Sequence, residues 1–239
     1  MQSTYCVPET ATPAGAVMSA MEEKPWYQRR ATGVEKKSAG FFYYLIKRGV
    51  DIGACLAVLP LVFILLIFCV LAVRLDSPGP VFFYQLRTGK GGKRFKMYKL
   101  RTMVQNAEEL KQKYMHLNVL TYPDFKIVND PRITRVGRFL RKTSLDELPQ
   151  IFNVLVGDMS LVGPRPTSFS SETYNLWHTA RLECKPGLTG LWQVGGRNEL
   201  DFDERVRLDI AYMRNQSLWL DFQILIRTVG AVFTGRGAN

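Results

Sequence analysis

The chain has 239 residues, of which 46% are hydrophobic, so it is long and apolar enough for one ordinary domain with a core of its own. Its formal net charge of +11, from 32 basic and 21 acidic residues, restricts its partners to anionic ones: nucleic acid, an anionic membrane surface or a phosphorylated substrate. The four cysteines have neither paired nor metal-type spacing, which argues against a disulfide framework and a cysteine-bound metal.

The chain opens with a polar stretch, residues 1–40, that is predicted to be a disordered tail. At Phe41 the character changes, because the aromatic run Phe41–Tyr44 and the basic pair Lys47-Arg48 form a belt of the kind found at membrane interfaces. Ile52–Val73 then provides 22 residues without a charge, which predicts a membrane helix over residues 41–75.

Pro60 lies inside this apolar run and is expected to kink the helix, because proline removes one hydrogen bond. It divides the run into Ile52–Leu59 and Pro60–Val73, with lengths of roughly 12 and 21 Å that each fall short of a hydrocarbon core of about 30 Å. A straight helix would cross the membrane, whereas a strongly kinked one would enter and return to the same face. Both flanks are basic, which by the positive-inside tendency places both in the cytoplasm. From the residues alone, the spanning and the re-entrant helix both stay open.

Two short extended segments follow, Val81–Leu86 and Phe95–Leu100, and the glycines between them predict a hairpin. The stretch from Arg87 to Arg101 carries seven basic residues and no acid, interleaved with aromatic side chains. Such a mixture is typical of nucleic-acid binding, but it also suits a lipid headgroup surface. Because a membrane segment stands directly before it, we expect a membrane or phosphate surface and no nucleic acid.

The rest of the chain is predicted to be mainly helical, from apolar residues that recur at three- and four-residue spacing. The predicted helices are Val104–Leu117, Arg132–Leu140, Ser144–Val156, Phe169–Arg181, Asp201–Asn215 and an amphipathic one at Ser217–Phe233 that suits the core or a membrane interface. Loops or turns are predicted at Asn118–Pro131, Lys185–Gly190 and Gly195–Asn198, with a brief extended piece at Leu191–Val194. His116 and His178 have no matching partners in the sequence and are expected at the surface.

Thr143–Gln150 holds two adjacent carboxylates, Asp146 and Glu147, directly after a run of basic residues. Ser144 stands three residues before Glu147, as in a capping box, and acids also suit the first turn of a helix for purely structural reasons. The same arrangement places a carboxylate among cations and free N–H groups, where a phosphate also binds. The stretch is therefore a candidate for phosphoryl chemistry, and the structural explanation stays open beside it.

A set of motifs occurs in order along the chain: Lys47-Arg48 with Asp51, Ser77–Phe83, Phe95–Met103, Ser144–Leu155, Gly157–Pro166, Lys185–Gly190 and Gly196–Asn198. Together they resemble the bacterial sugar transferase family, the monotopic phosphoglycosyl transferases that start exopolysaccharide and glycan assembly, over about residues 41–236. The resemblance implies a small α/β, mostly helical cytoplasmic domain at residues 76–239, resting on interfacial amphipathic helices. It also implies a re-entrant membrane helix broken at Pro60; relatives often read Ser-Pro at the break, where this chain has Leu59-Pro60.

The resemblance further implies an enzyme on the cytoplasmic face of the bacterial inner membrane. Such an enzyme transfers a sugar-1-phosphate from a UDP-sugar to a polyprenyl phosphate, usually undecaprenyl phosphate, and releases UMP. The family's Asp-Glu pair maps onto Asp146 and Glu147 and needs Mg²⁺, which these two residues are expected to bind. Lys99, Arg197 and Asp209 fall where family members carry polar site residues. The implied partners are a UDP-sugar, a polyprenyl phosphate and membrane lipids, with a homo-oligomer as a further possibility.

A carboxylate suits this chemistry because it is already ionised at neutral pH and attacks without a base. Its difficulty is repulsion from the diphosphate, which Mg²⁺ and neighbouring cations offset. We assign Asp146 the attack and a metal contact, and Glu147 a positioning or second metal role, with the reverse assignment open. Arg165, in the turn Gly163–Pro166, offers a guanidinium or belongs to a structural loop. The expected substrate-binding residues are Lys99, Arg101, Arg141, Arg165, Arg197 and Asp209.

Three other functions stay open. A catalytically silent, membrane-bound adaptor of a polysaccharide assembly system would keep the fold, but intact Asp146, Glu147 and Lys99 argue against it. A nucleic-acid binder is suggested only by the net charge. An ordinary glycosyl transferase would release UDP instead of UMP, so the nucleotide product distinguishes it from the leading hypothesis.

Overall fold

The structure, a computed structural model, describes residues 40–119, 127–170, 176–195 and 200–234. Within these ranges the chain is mostly helical, as predicted, with two small two-stranded sheets. The helices are α1 (Phe41–Asp76), α2 (Ala107–Lys113), α3 (Arg135–Thr143), α4 (Gln150–Val156), α5 (Leu191–Gly195), α6 (Phe202–Arg214) and α7 (Leu218–Thr234), and the strands are β1 (Phe82–Thr88), β2 (Arg94–Leu100), β3 (Ser160–Val162) and β4 (Gly187–Thr189). Residues 1–39 of the predicted tail lie outside the described part of the chain.

β1 and β2 form the predicted antiparallel hairpin, in register from Phe82 opposite Leu100 to Thr88 opposite Arg94. The turn between them requires glycine, because Gly91 and Gly92 have φ angles of 64° and 77°, in the region where a Cβ is strained. Most side chains of β1 are exposed, whereas Leu100 of β2 is buried. The hairpin is therefore attached to the core through β2.

α1 is a continuous helix of 36 residues, and its helical backbone runs through Leu59 and Pro60. The helical hydrogen-bonded backbone is therefore not interrupted at these residues, and the kink of the helix axis expected at Pro60 stays a prediction. At 1.5 Å per residue, α1 is about 54 Å long. By length and composition it is the one helix among the described residues that is able to cross a membrane. Its buried residues form a single stripe: Asp51, Cys55, Val62, Leu66, Cys69 and Val73.

The main hydrophobic core joins α1 to the rest of the domain. The apolar residues of the buried stripe of α1 belong to one cluster with Met97 and Leu100 of β2, Leu140 of α3, and Ile151 and Val154 of α4. Removal of this apolar surface from water is the driving force that holds the elements together. α1 is therefore packed against the domain along one side, while its remaining surface is largely apolar and exposed.

The stretch predicted as one helix from Ser144 to Val156 consists of two elements, a 3-10 turn at Leu145–Glu147 and the helix α4. The predicted capping box is wrong, because Ser144 ends α3 in a left-handed conformation (φ 58°, ψ 17°) and its side chain makes no capping bond. α3 also begins later than predicted, after Thr134, whose Oγ1 accepts a hydrogen bond from Gly137 N at 3.0 Å.

Other predicted elements need correction as well. The helix predicted at Val104–Leu117 is the shorter α2 followed by a 3-10 turn at Met115–Leu117. In place of the helix predicted at Phe169–Arg181 there is a 3-10 helix at Leu176–Glu183, and residues 171–175 lie outside the described part of the chain. The piece predicted to be extended is the helix α5, and the predicted turn at Lys185–Gly190 contains β4, which pairs in parallel with β3. Elements of three to five residues are too short for periodicity to identify.

The last two predicted helices are confirmed as α6 and α7. α6 begins with a capping box, in which the Asp201 side chain accepts from Glu204 N at 2.7 Å and the Glu204 side chain accepts from Asp201 N at 3.0 Å. α7 buries Leu220 and Ile224. Its exposed apolar residues are Leu218, Trp219, Phe222, Ile226 and Val229.

Candidate active site

The two adjacent carboxylates lie in the short 3-10 turn between α3 and α4, so the flanking helices fix their backbone. β2 brings Lys99 to both of them, with Nζ 2.9 Å from Glu147 Oε1 and 3.8 Å from Asp146 Oδ2. The loop after β3 brings the Arg165 guanidinium to Glu147. The structure therefore gathers four residues that the sequence predicted for the site.

Glu147 is held by two cations at once. Arg165 Nη2 donates a short hydrogen bond to Oε1, Arg165 Nη1 lies 3.3 Å from Oε2, and Lys99 also donates to Oε1. Burial opposes ionisation, but the charges of Arg165 and Lys99 outweigh it and hold the pKa of Glu147 well below its usual range. Glu147 is therefore a firmly ionised, charge-paired carboxylate.

Asp146 has the opposite character. Asp146 is only 7% exposed, and this burial raises the pKa of its carboxyl group. The negative charge of Glu147 raises this pKa further, while the positive charges of Lys99, Arg141 and Arg165 oppose the rise. The 3.8 Å to Lys99 is beyond hydrogen-bonding distance. Asp146 is thus a carboxylate whose charge is less compensated than that of its neighbour.

Arg141 joins this cluster through its charge. Its Nε donates to Thr102 Oγ1 at 2.9 Å, and its positive charge acts on Asp146. Thr102 lies two residues after the end of β2, and its carbonyl accepts from Thr134 N at 3.1 Å. Arg141 therefore links the last turn of α3 to the chain segment that carries Lys99.

Asn153, which the sequence analysis did not select, fixes the strand of Lys99 against α4. This fully buried amide accepts from Tyr98 N at 3.0 Å and donates to Lys96 O at 2.7 Å. A buried amide must be hydrogen-bonded, and Asn153 stands between the apolar Ile151 and Val154. That position, a polar residue on the buried side of a helix, is the signal that was available in the sequence.

The other predicted substrate-binding residues lie elsewhere. Arg101 is buried and its Nη2 donates to Ser77 O at 2.6 Å and to Ser77 Oγ at 3.0 Å, so it holds the turn after α1. Asp209 of α6 is 0% exposed. Both side chains are buried and contact protein groups, and their roles in substrate binding stay predictions. Arg197 lies outside the described residues.

Asp209 acts on the site through Arg181, a residue that sequence reasoning missed. Arg181 Nη2 lies 2.6 Å from Asp209 Oδ2 and donates to Arg165 O at 2.5 Å. Burial raises the pKa of Asp209 to about 6, and the charge of Arg181 opposes the rise. The buried pair therefore supports the backbone of the residue whose side chain grips Glu147. Only the folded chain brings these positions together, so the sequence carries no local sign of the contact.

His178 corrects a further expectation. It is 6% exposed rather than at the surface, with Nε2 3.1 Å from Asp203 Oδ1 and its ring 5.3 Å from that of Phe202. The partner is 25 residues away in the sequence, where no spacing rule reveals it. His116 is exposed, as predicted.

In the described ranges, no three His, Cys, Asp or Glu side chains gather into a group that could hold a metal ion. Mg²⁺, however, is often held by one or two carboxylates together with substrate phosphates and water. Asp146 fits such a role, because its charge is incompletely compensated. Glu147 fits it less well, since both of its oxygens contact Arg165.

Comparison with known proteins places this geometry in a family. The chain matches the family model described as bacterial sugar transferase over residues 42–235. It is 45% identical over 215 residues to an undecaprenyl-phosphate galactose phosphotransferase of Salmonella typhimurium, covering 88% of the chain and 44% of the relative. It is 38% identical over 232 residues to the UDP-glucose:undecaprenyl-phosphate glucose-1-phosphate transferase of Escherichia coli, covering 92% and 46%.

A third relative has nearly the same extent as the chain. The exopolysaccharide production protein ExoY of Rhizobium meliloti is 37% identical over 219 residues, which cover 90% of the chain and 95% of that protein. The chain thus spans less than half the length of the first two relatives and nearly all of the third. With the family model matched over most of its length, the chain belongs to the bacterial sugar transferase family.

Proposed function

We propose that the protein transfers a sugar-1-phosphate from a UDP-sugar to a polyprenyl phosphate, such as undecaprenyl phosphate, and releases UMP. This would be the first step of exopolysaccharide or glycan assembly. The observation that carries the proposal is the pairing of an incompletely compensated carboxylate, Asp146, with a neighbouring carboxylate, Glu147, already neutralised by Arg165 and Lys99. Such a cluster has one group free to react and cations at hand for an anionic substrate.

The names of the relatives support the substrate classes. The Escherichia coli relative is named for UDP-glucose, undecaprenyl phosphate and glucose-1-phosphate transfer, and the Salmonella relative for undecaprenyl phosphate and galactose. The sugars in these names differ, so the class of donor carries over to this chain and the identity of its sugar does not.

The proposed mechanism is a double displacement. An Asp146 carboxylate oxygen attacks the β-phosphorus of the UDP-sugar, and the bond from that phosphorus to the bridging oxygen of UMP breaks. UMP leaves with the bridging oxygen and the bond's electron pair. A phosphate oxygen of the polyprenyl phosphate then attacks the same phosphorus, which releases the Asp146 carboxylate and forms the lipid-linked diphosphosugar.

The surrounding residues have distinct proposed roles in these steps. Lys99 and Arg141 offset the charge that accumulates as the anionic carboxylate meets the anionic diphosphate. Glu147 orients Arg165 and Lys99 and so keeps them within reach of the reacting phosphate. Mg²⁺, held by Asp146 with Glu147 beside it, would supply further charge neutralisation on the diphosphate.

The contacts of α1 support an arrangement in which both of its ends lie on one face of the membrane, and the basic residues on both flanks favour the cytoplasmic face. Near its start, Arg48 donates to Val154 O and Asp51 accepts from Leu161 N at 3.1 Å. At its end, Asp76 accepts from Val136 N at 3.1 Å. Because both ends contact the same domain, they belong on the same side of a membrane, and the exposed apolar middle of α1 would enter it.

Measuring the nucleotide product tests the proposed reaction. Membrane-embedded protein is incubated with undecaprenyl phosphate and one donor at a time. The donors are UDP-glucose, UDP-galactose and UDP-N-acetylgalactosamine. We expect UMP from at least one donor, and none from an Asp146→Asn variant that still fractionates with membranes. Release of UDP would mean an ordinary glycosyl transferase, and no nucleotide from any donor would favour the silent adaptor.

A further inference from the structure

We propose that α1 is a part of the active site as well as a membrane anchor. Arg48 and Asp76, near the two ends of α1, act as positioning residues for the two helices that flank Asp146 and Glu147. The inference deepens the proposed function, and its catalytic readout rests on that function. A second readout, on backbone protection, does not.

Arg48 caps α4, the helix that follows the 3-10 turn Leu145–Glu147, which we call the catalytic turn. Its Nη1 donates to Val154 O at 2.5 Å and its Nη2 donates to Leu155 O at 2.7 Å. The last four carbonyls of a helix have no partner within it, and the helix dipole makes that end negative. The forked guanidinium of Arg48 binds two of those carbonyls, of which Val154 O also accepts from Gly157 N at 3.1 Å, and it offsets the dipole at the C-terminal end of α4.

Asp76 caps the helix that precedes the catalytic turn. Its Oδ2 accepts from Val136 N at 3.1 Å, while Thr134 Oγ1 accepts from the next amide, Gly137 N. The first amides of a helix are likewise unpaired, and a negative charge suits this end. The two ends of α1 therefore place an anion at the N-terminus of α3 and a cation at the C-terminus of α4.

These contacts matter because the flanking helices are short. α3 has nine residues and α4 has seven, and helices of such length are marginal without contacts from elsewhere. Between its two capping residues, α1 also packs its buried stripe against Leu140 of α3 and Ile151 and Val154 of α4. α1 thus contacts the pair of helices at their outer ends and along their buried sides.

The position of the catalytic turn depends on both helices. Asp146 belongs to the turn, whereas Lys99 and Arg165 are carried by β2 and by the loop after β3. A shift of either helix would change the distances between Asp146 and these cations. Misplacement of a reacting group by about 1 Å can cost on the order of a hundredfold in rate. Removing either cap should therefore lower kcat while leaving the substrate contacts themselves intact.

A rival explanation treats Arg48 as a membrane-surface charge that binds lipid headgroups. The geometry argues against this, since both terminal nitrogens donate to protein carbonyls. Arg74, at the other end of the same helix, provides a matched control. It is exposed and donates to Gly79 O at 3.3 Å, within its own turn of chain.

The experiment compares Arg48→Gln, Arg48→Lys and Asp76→Asn with the control Arg74→Gln in the full-length protein in membranes. We expect Arg48→Gln and Asp76→Asn to lower kcat by about tenfold or more with little change in KM for the UDP-sugar. Arg48→Lys keeps the charge but not the two-carbonyl fork, so it should recover only part of the loss. Arg74→Gln should resemble the parent, and all four should remain in the membrane fraction.

Hydrogen exchange over α3, the catalytic turn and α4 gives the readout that is independent of catalysis. Faster exchange in α4 for Arg48→Gln, and in α3 for Asp76→Asn, is expected, with no change in α7. Unchanged exchange in both variants overturns the proposal whatever the protein catalyses. Full activity of Arg48→Gln would also overturn the proposal. A loss of activity in proportion to the amount of Arg48→Gln protein missing from the membrane fraction would overturn it as well. If Arg48→Gln fails to fold, Arg48→Lys and Asp76→Asn decide between the outcomes.

Discussion

Two neighbouring carboxylates in one turn have opposite pKa shifts, because the cations around them are unequally distributed. Burial affects both, yet Arg165 and Lys99 hold the pKa of Glu147 well below its usual range, whereas burial leaves the pKa of Asp146 raised. Residue identity alone could not have divided their roles. The contacts favour Asp146 as the attacking group and Glu147 as the group that holds the cations, which is the assignment preferred from the sequence.

The buried Asp209 predicts a specific dependence of stability on pH. Its folded pKa of about 6 lies above the ordinary 3.8, so between these values the unfolded state loses the proton first. Stability contributed by this group therefore falls as pH rises through that window, by about 3 kcal/mol in total. In Asp209→Asn the group is neutral throughout, so the free energy of unfolding of the parent relative to the variant should fall by about 2.4 kcal/mol from pH 4 to pH 7.

Urea unfolding of both proteins in the same detergent at several pH values measures this difference. Identical pH profiles for the parent and Asp209→Asn would contradict a buried, proton-binding Asp209. Glu109, an exposed carboxylate of α2, serves as the control position, and its replacement by Gln should leave the profile of the parent largely intact.

At the scale of elements, turn residues and helical periodicity predicted those parts of the structure that depend on neighbouring residues in the sequence. Glycines between two aromatic-rich segments predicted the hairpin. α6 and α7 are long enough that the spacing of their apolar residues predicted both helices. The predicted start of α4 was wrong. Ser144 has the sequence pattern of an N-terminal capping residue, but in the structure it ends the preceding helix, α3. The support of Arg165 by Arg181 was missed, because contacts between distant segments leave no mark on either one.

The packing of α3 on the end of β2 gives a test at this scale. A Cβ on Gly137 would lie 2.1 Å from Thr102 O, the carbonyl that accepts from Thr134 N. Gly137→Ala should therefore force α3 away and lower the free energy of unfolding by about 1–3 kcal/mol. Activity should fall too, since Arg141 bonds Thr102 Oγ1 from the same helix.

Gly53→Ala is the matched control for this clash. A Cβ there meets nothing within 4 Å, and alanine is a better helix former than glycine. The control should be neutral or slightly stabilising in thermal unfolding. A Gly137→Ala protein as stable as the parent would show that the close approach of α3 to Thr102 is absent.

At the scale of the whole molecule, α1 is a long apolar helix, able by length and composition to cross a membrane, that packs against the catalytic domain. The sequence left open whether this helix spans or returns, because hydropathy and flanking charge do not report contacts. The structure adds that both ends of α1 contact one domain through Arg48, Asp51 and Asp76. A spanning helix would have to break one of these sets of contacts.

Cysteine labelling of intact cells tests the proposed topology. In a Cys6→Ser background, a cysteine in place of Ser38, just before α1, should react with a membrane-impermeant maleimide only after the cells are lysed. Pro60→Leu removes the residue that weakens the helix at its centre, and should shift some molecules toward spanning. Efficient labelling at position 38 in unbroken cells would contradict the re-entrant arrangement.

Peptide mass spectrometry after mixing the protein with UDP-sugar alone tests whether Asp146 forms a covalent phosphosugar intermediate. We expect a phosphosugar adduct on Asp146 and one equivalent of UMP released before any polyprenyl phosphate is added. Asp146→Asn should show neither, while Glu147→Gln should slow turnover more than it blocks labelling. An adduct on another residue, or UMP that appears only when both substrates are present, would rule out the proposed double displacement at Asp146.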